Sequence, residues 1–516
     1  MTSSSRSSLR SAASQSLSAL AVFLINVTTG MGLGWSSPAW AKLTEVGAGG
    51  RADAGFLLDV NEASWVVAVY DVGIPVGSVL AGLLLGSLGR RRTLMLSPLL
   101  VLAASALTFE ARSSAALIAA RVLMGTSFGL DLSCSSLYIG EIAHSDTRGK
   151  LCTFTTSLVF VGVLAEFVIG PYVAYPTQAL LPVAPALLSL AVFLLWAPES
   201  PYFLASRGRV DEMRRALARL RGVSAGQHSA AVDKEAEDIL RATESGKRRS
   251  RAPWRNLVSL TDRGARRGCL IVLFLCGTGP MVGTGSVVAY GEYLFKTTGS
   301  GLSADMSAIV MCSVQVLAGV ASSQVIDRAG RRPLLLGTAL VNACAMAGAG
   351  VFFFIKDALG KPDAAAHISW LPLASLMLFM VSTNLGTTTV PWVMIGELLP
   401  QQSKALVPSL SVLAFSVVAF ATNKLLPVLG QHVGLYLPFW AFGAWSVLVF
   451  FFTLILVPET RGKTLLEVQA MLQGKPADGS LSHQDAEVLQ EEDLRRQQQD
   501  AEDPRAPSSA PRRERW

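Results

Sequence analysis

Twelve long apolar windows follow one another along the chain, and short polar segments separate them. A helix needs about 20 apolar residues to cross the hydrocarbon core of a bilayer, so each window predicts one transmembrane helix. The windows lie at 16–37, 63–86, 94–111, 115–138, 152–174, 179–197, 269–293, 304–326, 333–355, 370–396, 405–429 and 434–457. Because six precede a polar segment and six follow it, the pattern predicts an all-α integral membrane protein with twelve transmembrane helices in two six-helix halves.

Lysine and arginine are distributed unequally between the two sides of this predicted membrane domain. Only 16% of the residues are charged and 51% are apolar, whereas a soluble domain carries about 25% charged residues. The basic residues concentrate at one set of short loops and in the segment 199–268. Since positive loops stay inside the cell, we predict that this side and both termini are cytoplasmic, in the plasma membrane. The net charge of +7 then reflects topology, and we expect no nucleic-acid partner.

The same pattern divides the chain into five parts. Segment 199–268 carries apolar residues at helical spacing between charges, at Val210, Met213 and Leu217, which predicts a short amphipathic helix. The end of the chain is polar and charged, which favours disorder. The predicted parts are a cytoplasmic N-terminal segment 1–15, a first half 16–198, a cytoplasmic linker with short helices 199–268, a second half 269–458 and a mostly disordered cytoplasmic tail 459–516.

The chemistry-bearing residues do not form an enzymatic pattern. Six cysteines fall in or beside the apolar windows without a metal-binding spacing, so we predict no structural disulfide, no metal site and no cofactor. No nucleophile–base set or phosphate-binding loop is evident, and the five histidines are scattered. These observations argue against an enzyme, and the absence of a pore-loop filter argues against a channel.

A similar turn sequence occurs twice, and the two copies are separated by nearly half of the chain. "AGLLLGSLGRRRTL" occupies 81–94 and "SSQVIDRAGRRPLL" occupies 322–335. This repeat predicts a duplicated six-helix unit, the architecture of transporters that hold a substrate between two rocking halves. Arginines in such turns can pair with carboxylates at neighbouring helix ends and stabilise one conformation. The candidate residues of this cytoplasmic gate are Arg90, Arg91, Glu141, Arg148, Glu199, Asp327, Arg331, Arg332, Glu397, Lys404 and Glu459. The alternative is that these charges only fix the topology.

Several longer motifs occur along the chain: "RVLMGTSFG" at 121–129, "YIGEIAHSDTRGKL" at 138–151, "PESPYFL" at 198–204, "DRAGRRPLL" at 327–335, "PWVMIGELLP" at 391–400 and "VPETRGKTLLEV" at 457–468. These motifs resemble those of the sugar porters of the major facilitator superfamily, and the resemblance covers 16–470. Through "MGLGWSSPAWAKL" at 31–43 and "VQV" at 314–316, the chain is most similar to the insect trehalose-transporter-like branch. The resemblance implies transport of a hexose or trehalose by facilitated diffusion. Departures at Gly86, Ser87 and His144 imply a weaker closure in the first half.

The resemblance also implies a set of substrate-binding positions, and this chain keeps only part of it. The implied substrate-binding residues are Thr156, Tyr290, Gln315, Asn384 and Trp392. In the seventh window, Gly279, Pro280 and Gly285 occupy positions at which the family carries amides. In the eleventh window, the corresponding part of the family's site is occupied by Phe415, Ser416 and Ala419. Each lost amide contact removes about 1 kcal/mol or more of binding free energy. The departures leave the fold prediction intact and open the question of the substrate.

Buried carboxylates raise the alternative of proton coupling. The family's symporters carry an aspartate in the first helix, where this chain reads Gly34, Trp35 and Ser36, which favours facilitated diffusion. Ionisable groups at membrane depth are nevertheless functional candidates. Asp71 and Glu166 are therefore possible proton sites, whereas we interpret Asp131 as a structural pairing residue.

The sequence therefore predicts a sugar transporter that binds a small molecule, contacts membrane lipids and functions as a monomer. The alternatives are a proton-coupled transporter, a transporter of a polyol or organic anion, and a sensor that retains the fold without transport.

Overall fold

The protein is almost entirely helical. The computed structural model describes residues 3–45, 54–223, 230–249, 263–299, 302–399, 407–463 and 465–473, and no β-strand occurs within these ranges. The predicted disorder of the tail beyond 473 lies outside them.

The first half contains the helices that lead up to the polar linker. They are α1 (Ser3–Gly34), α2 (Ser36–Thr44), α3 (Val60–Ser87), α4 (Arg90–Glu110), α5 (Ser114–Ile142), α6 (Ser145–Ile169), α7 (Tyr175–Leu180) and α8 (Val183–Leu195). A 3₁₀ turn, Gly170–Tyr172, follows α6. The linker contributes α9 (Pro201–Ser206), α10 (Val210–Leu220) and α11 (Ala230–Arg249).

The second half repeats this arrangement with more interruptions. Its helices are α12 (Arg263–Met281), α13 (Thr284–Ala289), α14 (Gly291–Thr298), α15 (Ala304–Ala329), α16 (Arg331–Phe353), α17 (Pro362–Ala366), α18 (Trp370–Leu385), α19 (Thr389–Leu398), α20 (Val407–His432), α21 (Tyr436–Leu456) and α22 (Leu465–Leu472). A π-helical turn, Phe354–Ala358, extends α16.

The twelve predicted windows correspond to helices in the structure. Eleven stretches of the described chain are long and apolar enough to cross a membrane, and α6 supplies a shorter apolar stretch, Ser157–Tyr172. Four windows predicted as single helices are interrupted, at 35, at 181–182, at 282–283 and 290, and at 386–388. Helix α1 also begins at Ser3, earlier than predicted.

Each half is held together by close helix contacts at glycines. Helix α3 packs along α5 and α1 along α6. A Cβ atom on Gly77 would lie 2.0 Å from the carbonyl oxygen of Thr126, and one on Gly30 would lie 2.0 Å from that of Val159. Small residues at these positions let the backbones approach, which is how transmembrane helices pack without a hydrophobic driving force.

The halves meet along two seams, α3 against α20 and α6 against α15. We call the side of the molecule that carries the turns at 89–92 and 330–332 the arginine side. On the opposite side, Lys424 donates to the side chain of Asn61 at 2.5 Å and to Ser64 at 2.7 Å. Lys296 of the second half also pairs there with Glu45 of the first. The opposite side is therefore closed.

On the arginine side, no hydrogen bond or ion pair that joins the two halves is found between residues that the structure describes. The apolar clusters differ between the two sides in the same way. The cluster that includes Trp40 and Tyr290, at the closed side, contains residues of both halves. The clusters that include Tyr138 and Leu398 each stay within one half.

Candidate functional site

Glycine begins each of the two repeated turns because the backbone there is left-handed. Gly89 has a φ of 94° and Gly330 a φ of 87°. A Cβ atom would also lie 2.6 Å from the Glu199 carboxylate in the first turn and 3.0 Å from that of Glu459 in the second. The glycines therefore serve both the turn and the approach of a carboxylate to it.

The first arginine cluster consists of Arg90, Arg91, Glu141, Glu199 and Ser200. The Arg90 guanidinium donates to both carboxylate oxygens of Glu141, with Nε–Oε2 and Nη2–Oε1 distances of 2.9 Å. Glu199 accepts from the backbone amides of Arg90 at 2.9 Å and Arg91 at 3.0 Å. The Ser200 hydroxyl donates to Glu141. The cluster thus joins the ends of α4, α5 and the segment after α8.

The second arginine cluster consists of Arg331, Arg332, Glu397, Glu459 and Thr460, and repeats these contacts partner by partner. Arg331 donates to Glu397, with Nε–Oε1 and Nη2–Oε1 distances of 3.1 and 2.9 Å. Glu459 accepts from the backbone amides of Arg331 at 3.1 Å and Arg332 at 3.0 Å. Thr460 donates to Glu397 at 2.5 Å. It joins the ends of α16, α19 and the segment after α21.

These clusters contain eight of the eleven predicted gate residues. The side chains of Arg148 and Asp327 and the whole of Lys404 lie outside the described residues. Both clusters connect helices within one half, so their contacts do not bridge the halves. Whether they act as a gate stays a prediction.

A polar bridge crosses between the halves at membrane depth. Asp71 on α3 is buried and accepts from the Asn423 amide of α20 at 2.7 Å. The Asn423 side-chain oxygen accepts from Ser286 at 2.8 Å, and its backbone carbonyl accepts from the Tyr290 hydroxyl at 2.7 Å. The bridge fixes α3, α20 and α13 together in this conformation.

Arg121 on α5 is the buried cation of the first half. Its Nη1 donates to the Gly32 carbonyl at 2.6 Å, and its guanidinium carbon lies 4.5 Å from the centre of the Tyr70 ring and 5.1 Å from that of Trp35. As a structural pairing residue, Asp131 has two candidate partners in the sequence, Arg121 and a neighbouring polar helix. In the structure, Asp131 accepts from Thr29 at 2.9 Å and from Ser135.

Hydrogen-bonded side chains connect Glu166 through Gln178 to Lys42 on the opposite side. Its Oε1 accepts from Gln178 at 2.9 Å, and the Gln178 oxygen accepts from Lys42 at 2.9 Å. Glu166 is fully buried, and its Oε2 has no hydrogen-bond partner within the described ranges. Of the two possible proton sites, Asp71 is thus bonded across the halves and Glu166 within the first half.

The predicted substrate residues occupy different environments. Gln315 is 2% exposed, and it lies one helical turn before Gly319, which faces Phe160 of α6. Trp392 is half-buried, with its ring centre 6.0 Å from that of Phe415.

The other predicted substrate residues are engaged or outside the description. Asn384 donates back to the Met380 carbonyl of its own helix at 2.8 Å. Tyr290 is buried against Trp40 at the closed end, with ring centres 5.0 Å apart. The side chain of Thr156 lies outside the described residues.

Five buried hydroxyls of the second half have no intramolecular hydrogen bond within the described part of the chain, those of Thr284, Ser307, Thr388, Ser416 and Thr453. Three of the five are candidate ligand contacts. They belong to Thr284, Thr388 and Ser416, on α13, the break before α19, and α20. Gly279 lies between two of these elements, since a Cβ atom on it would lie 3.9 Å from the Thr388 hydroxyl and 3.7 Å from the Phe415 ring. Thr388 and helix α20, which carries Ser416, therefore meet at Gly279, and Trp392 lies beside Phe415 of α20. Thr284 lies on α13, which contacts α20 through Ser286 and Asn423.

Sequence reasoning did not single out two residues that the structure places at the centre of the molecule. Asn423 forms the bridge between the halves, and Thr388 lies at the break between α18 and α19. Asn423 is an amide within a predicted transmembrane window, and this signal was available in the sequence. The Thr388 hydroxyl faces the interior because the helix breaks at this residue, and the apolar pattern did not reveal the break.

Two six-helix halves, a duplicated turn and polar groups at mid-membrane define a secondary transporter. The sequence matches the family model described as sugar (and other) transporter over residues 10–472, and the chain belongs to this family. The fold class and the resemblance to sugar porters are thereby confirmed, as is transport as the function.

Known proteins similar to this chain include facilitated trehalose transporters Tret1. The protein from Culex quinquefasciatus is 29% identical over 463 residues, which cover 90% of this chain and 86% of that protein. The protein from Drosophila pseudoobscura pseudoobscura is 28% identical over 462 residues, 89% of this chain, and the chain spans about half, 51%, of its length. Among solved structures, the inward open conformation of the xylose transporter XylE from E. coli has a TM-score of 0.70 and 18% identity, covering 89% of this chain and 98% of that one.

Proposed function

We propose that this protein carries a sugar, either trehalose or a hexose, across the plasma membrane by facilitated diffusion. The trehalose transporters named above support trehalose as the first candidate. In this proposal both termini face the cytoplasm, the monomer is the functional unit, and membrane lipids surround it. No nucleic acid takes part.

The observation that carries the proposal is the group of unpartnered hydroxyls on Thr284, Thr388 and Ser416. Burying a polar group without a hydrogen bond costs about 1–3 kcal/mol of free energy. A ligand that supplies hydrogen-bond partners to these hydroxyls recovers this free energy on binding. A sugar offers several hydroxyls, each a donor and an acceptor. The rings of Trp392 and Phe415 supply the apolar face that a small-molecule site also needs.

Gly279 and Gly285 provide room for this ligand. The resemblance implied amides at these positions, and their replacement by glycine removed hydrogen-bond donors. A Cβ atom at Gly285 would come no closer than 3.8 Å to the Asn423 amide. We infer that hydroxyls around an enlarged space replace the amides of the family.

Alternating access requires the closed side to open. In this structure the bridges Asp71–Asn423 and Lys424–Asn61 hold the opposite side shut. The substrate then exchanges with the arginine side, which is cytoplasmic in our proposal. The two arginine clusters act as the gate by fixing helix ends within each half, so that each half moves as one body.

Facilitated diffusion is favoured because two of the buried carboxylates accept hydrogen bonds from neighbouring side chains. Asp71 accepts from Asn423, and Asp131 accepts from Thr29 and Ser135. Glu166 supports a second candidate, proton-coupled uptake, through its unpartnered Oε2. An intramembrane carboxylate with a free oxygen is the usual position for a proton relay.

Uptake into proteoliposomes tests the substrate and the coupling together. Purified protein is reconstituted, and labelled trehalose, glucose and a polyol are offered with and without an inward proton gradient. We expect saturable sugar uptake that is insensitive to the gradient. Uptake that the gradient raises, and that Glu166→Gln renders insensitive, would establish the second candidate instead. Polyol uptake without sugar uptake, or no uptake by folded protein, would reject the sugar proposal.

Matched hydroxyl variants test the site. We expect Thr388→Val and Ser416→Ala each to raise the KM for the sugar severalfold, because each removes about 1 kcal/mol of ligand hydrogen bonding. The control is Thr453→Val on α21, which removes a buried hydroxyl that also has no partner among the described residues. Its KM should not change. An unchanged KM in both site variants, with sugar uptake intact, would move the binding site elsewhere.

A further inference from the structure

A cleft of about 600 Å³ lies on the arginine side, between the first repeated turn and the linker helices. Its lining includes six arginines and two glutamates. The arginines are Arg91, Arg92, Arg207, Arg209, Arg215 and Arg219, and the glutamates are Glu199 and Glu212. Arg91 and Glu199 also belong to the first arginine cluster, whereas the other arginines of the cleft and Glu212 have no role in the proposed transport cycle.

Both glutamates already have hydrogen-bond or ion-pair partners, and most of the arginine side chains of the cleft are not among these partners. Glu199 accepts from three backbone amides, those of Arg90, Arg91 and Ser200. Glu212 pairs with Arg209 at 2.5 Å. The remaining five arginines have no carboxylate within ion-pair distance among the residues that the structure describes.

Backbone carbonyls hold four of these arginines in place, and Arg215 donates to the Asp211 carbonyl at 3.3 Å. Arg91 donates to the Phe193 carbonyl at 2.7 Å, and Arg219 donates to the Leu195 carbonyl at 3.0 Å. Arg207 donates to the Gly86 carbonyl. These bonds use only part of each guanidinium, which has five N–H donors. The cleft therefore presents oriented donors and an uncompensated positive charge.

The cleft adjoins the membrane boundary. Leu195 is the last residue of α8 and is 75% exposed, and the neighbouring Trp196 is 46% exposed. The Arg219 guanidinium lies 5.7 Å from the centre of the Trp196 ring. Tryptophan is typical of the level of the lipid headgroups. A ligand in the cleft can thus carry acyl chains that continue along exposed leucines of α8.

We propose that this cleft binds the phosphorylated headgroup of an anionic membrane phospholipid. Guanidinium groups match phosphate oxygens with paired, charge-assisted hydrogen bonds. A volume of this size is typical of small-molecule sites and accommodates a headgroup with more than one phosphate. The bound headgroup connects Arg91 and Arg92 of α4 with Arg215 and Arg219 of α10, and it fastens the linker to the first half.

Lipid binding by the purified full-length protein tests the proposal without any transport assay. The probes are mixed micelles of a neutral detergent with phosphatidylinositol bisphosphate, with phosphatidylserine or with phosphatidylcholine, and the soluble probes are inositol trisphosphate and inorganic phosphate. We expect the bisphosphate lipid to bind at least tenfold more tightly than phosphatidylcholine and to raise the Tm. Inositol trisphosphate should bind more weakly than the lipid, because it lacks the acyl chains.

A matched pair of variants on one helix locates the site. The double substitution Arg215→Gln with Arg219→Gln should weaken binding of the bisphosphate lipid at least tenfold. Arg214→Gln, an exposed arginine of α10 outside the cleft, should leave binding unchanged. The Tm of each variant without lipid shows that it is folded.

Three outcomes overturn the proposal. Equal affinity for neutral and anionic lipids removes phosphate recognition. An equal loss of affinity in Arg214→Gln points to diffuse surface charge rather than to the cleft. Inositol trisphosphate or inorganic phosphate binding as tightly as the lipid identifies a soluble phosphate as the ligand and excludes the lipid. Because the readout is binding, none of these outcomes depends on whether the protein transports sugar.

Discussion

The two arginine clusters have the same inner contacts and different surroundings. In each, one arginine pairs with a glutamate at a neighbouring helix end, and a second glutamate accepts two backbone amides of the turn. A hydroxyl side chain completes each cluster, from Ser200 in the first and Thr460 in the second. Duplication has kept this inner set in full.

The surroundings differ because the described part of the linker packs on the first cluster. Arg207 of the linker donates to the carbonyls of Gly86 and Ser87, and the Phe203 ring centre lies 5.4 Å from the Arg90 guanidinium carbon. In the second half, Arg461 donates to the Arg328 carbonyl at 2.5 Å. The departures at Gly86 and Ser87 predicted a weaker closure in the first half, and Arg207 acts against this weakening. A residue distant in sequence can thus supply a contact at a position where the motif has lost a side chain.

The largest expected effect comes from removing the central arginine of either cluster. Arg90→Ala and Arg331→Ala each leave a partly buried carboxylate without its cation, which costs about 3 kcal/mol. We expect each variant to insert in the membrane and to lose at least tenfold in the rate of sugar uptake. Arg112→Ala removes an exposed arginine on the opposite side and should behave as the parent protein. Normal turnover of Arg331→Ala in proteoliposomes would reject the gate in the second half.

A smaller effect separates coupling within a half from coupling between halves. A double-mutant cycle of Arg90→Ala with Glu141→Ala should give an interaction energy of about 2 kcal/mol in thermal unfolding, because these residues are in contact. The cycle of Arg90→Ala with Glu397→Ala should be additive, because their clusters lie in different halves. Coupling of similar size in both cycles would show that the clusters act on one another.

The smallest expected effect concerns the hydroxyls that complete the clusters. Ser200→Ala and Thr460→Val each remove one hydrogen bond to a carboxylate that keeps its arginine, so each should lower the stability by about 1 kcal/mol. Thermal unfolding of the two variants measures this directly. A much larger loss in Ser200→Ala alone would mean that the first cluster depends on its hydroxyl more than the second does.

The candidate site could be predicted only in part. The repeated turn and its acidic partners identified Arg90, Glu141, Arg331 and Glu397 correctly as neighbours, because charges at helix ends have few other partners within reach. For the substrate site, the resemblance directed attention to amide positions. It did not reveal that Asn384 bonds to its own helix, because side-chain rotamers depend on the packing around them.

The sequence by itself determined the membrane fold, the number of helices and the division into halves. These follow from the length and spacing of apolar windows, since every backbone polar group in lipid must be bonded within a helix. The tertiary structure alone decided which side is closed and that Asp71 meets Asn423 across the halves. It also decided that the hydroxyls of Thr284, Thr388 and Ser416 have no hydrogen-bond partner within the described ranges. The physical reason is that these contacts join residues far apart in sequence, on helices whose breaks and rotations are fixed only when the two halves pack together.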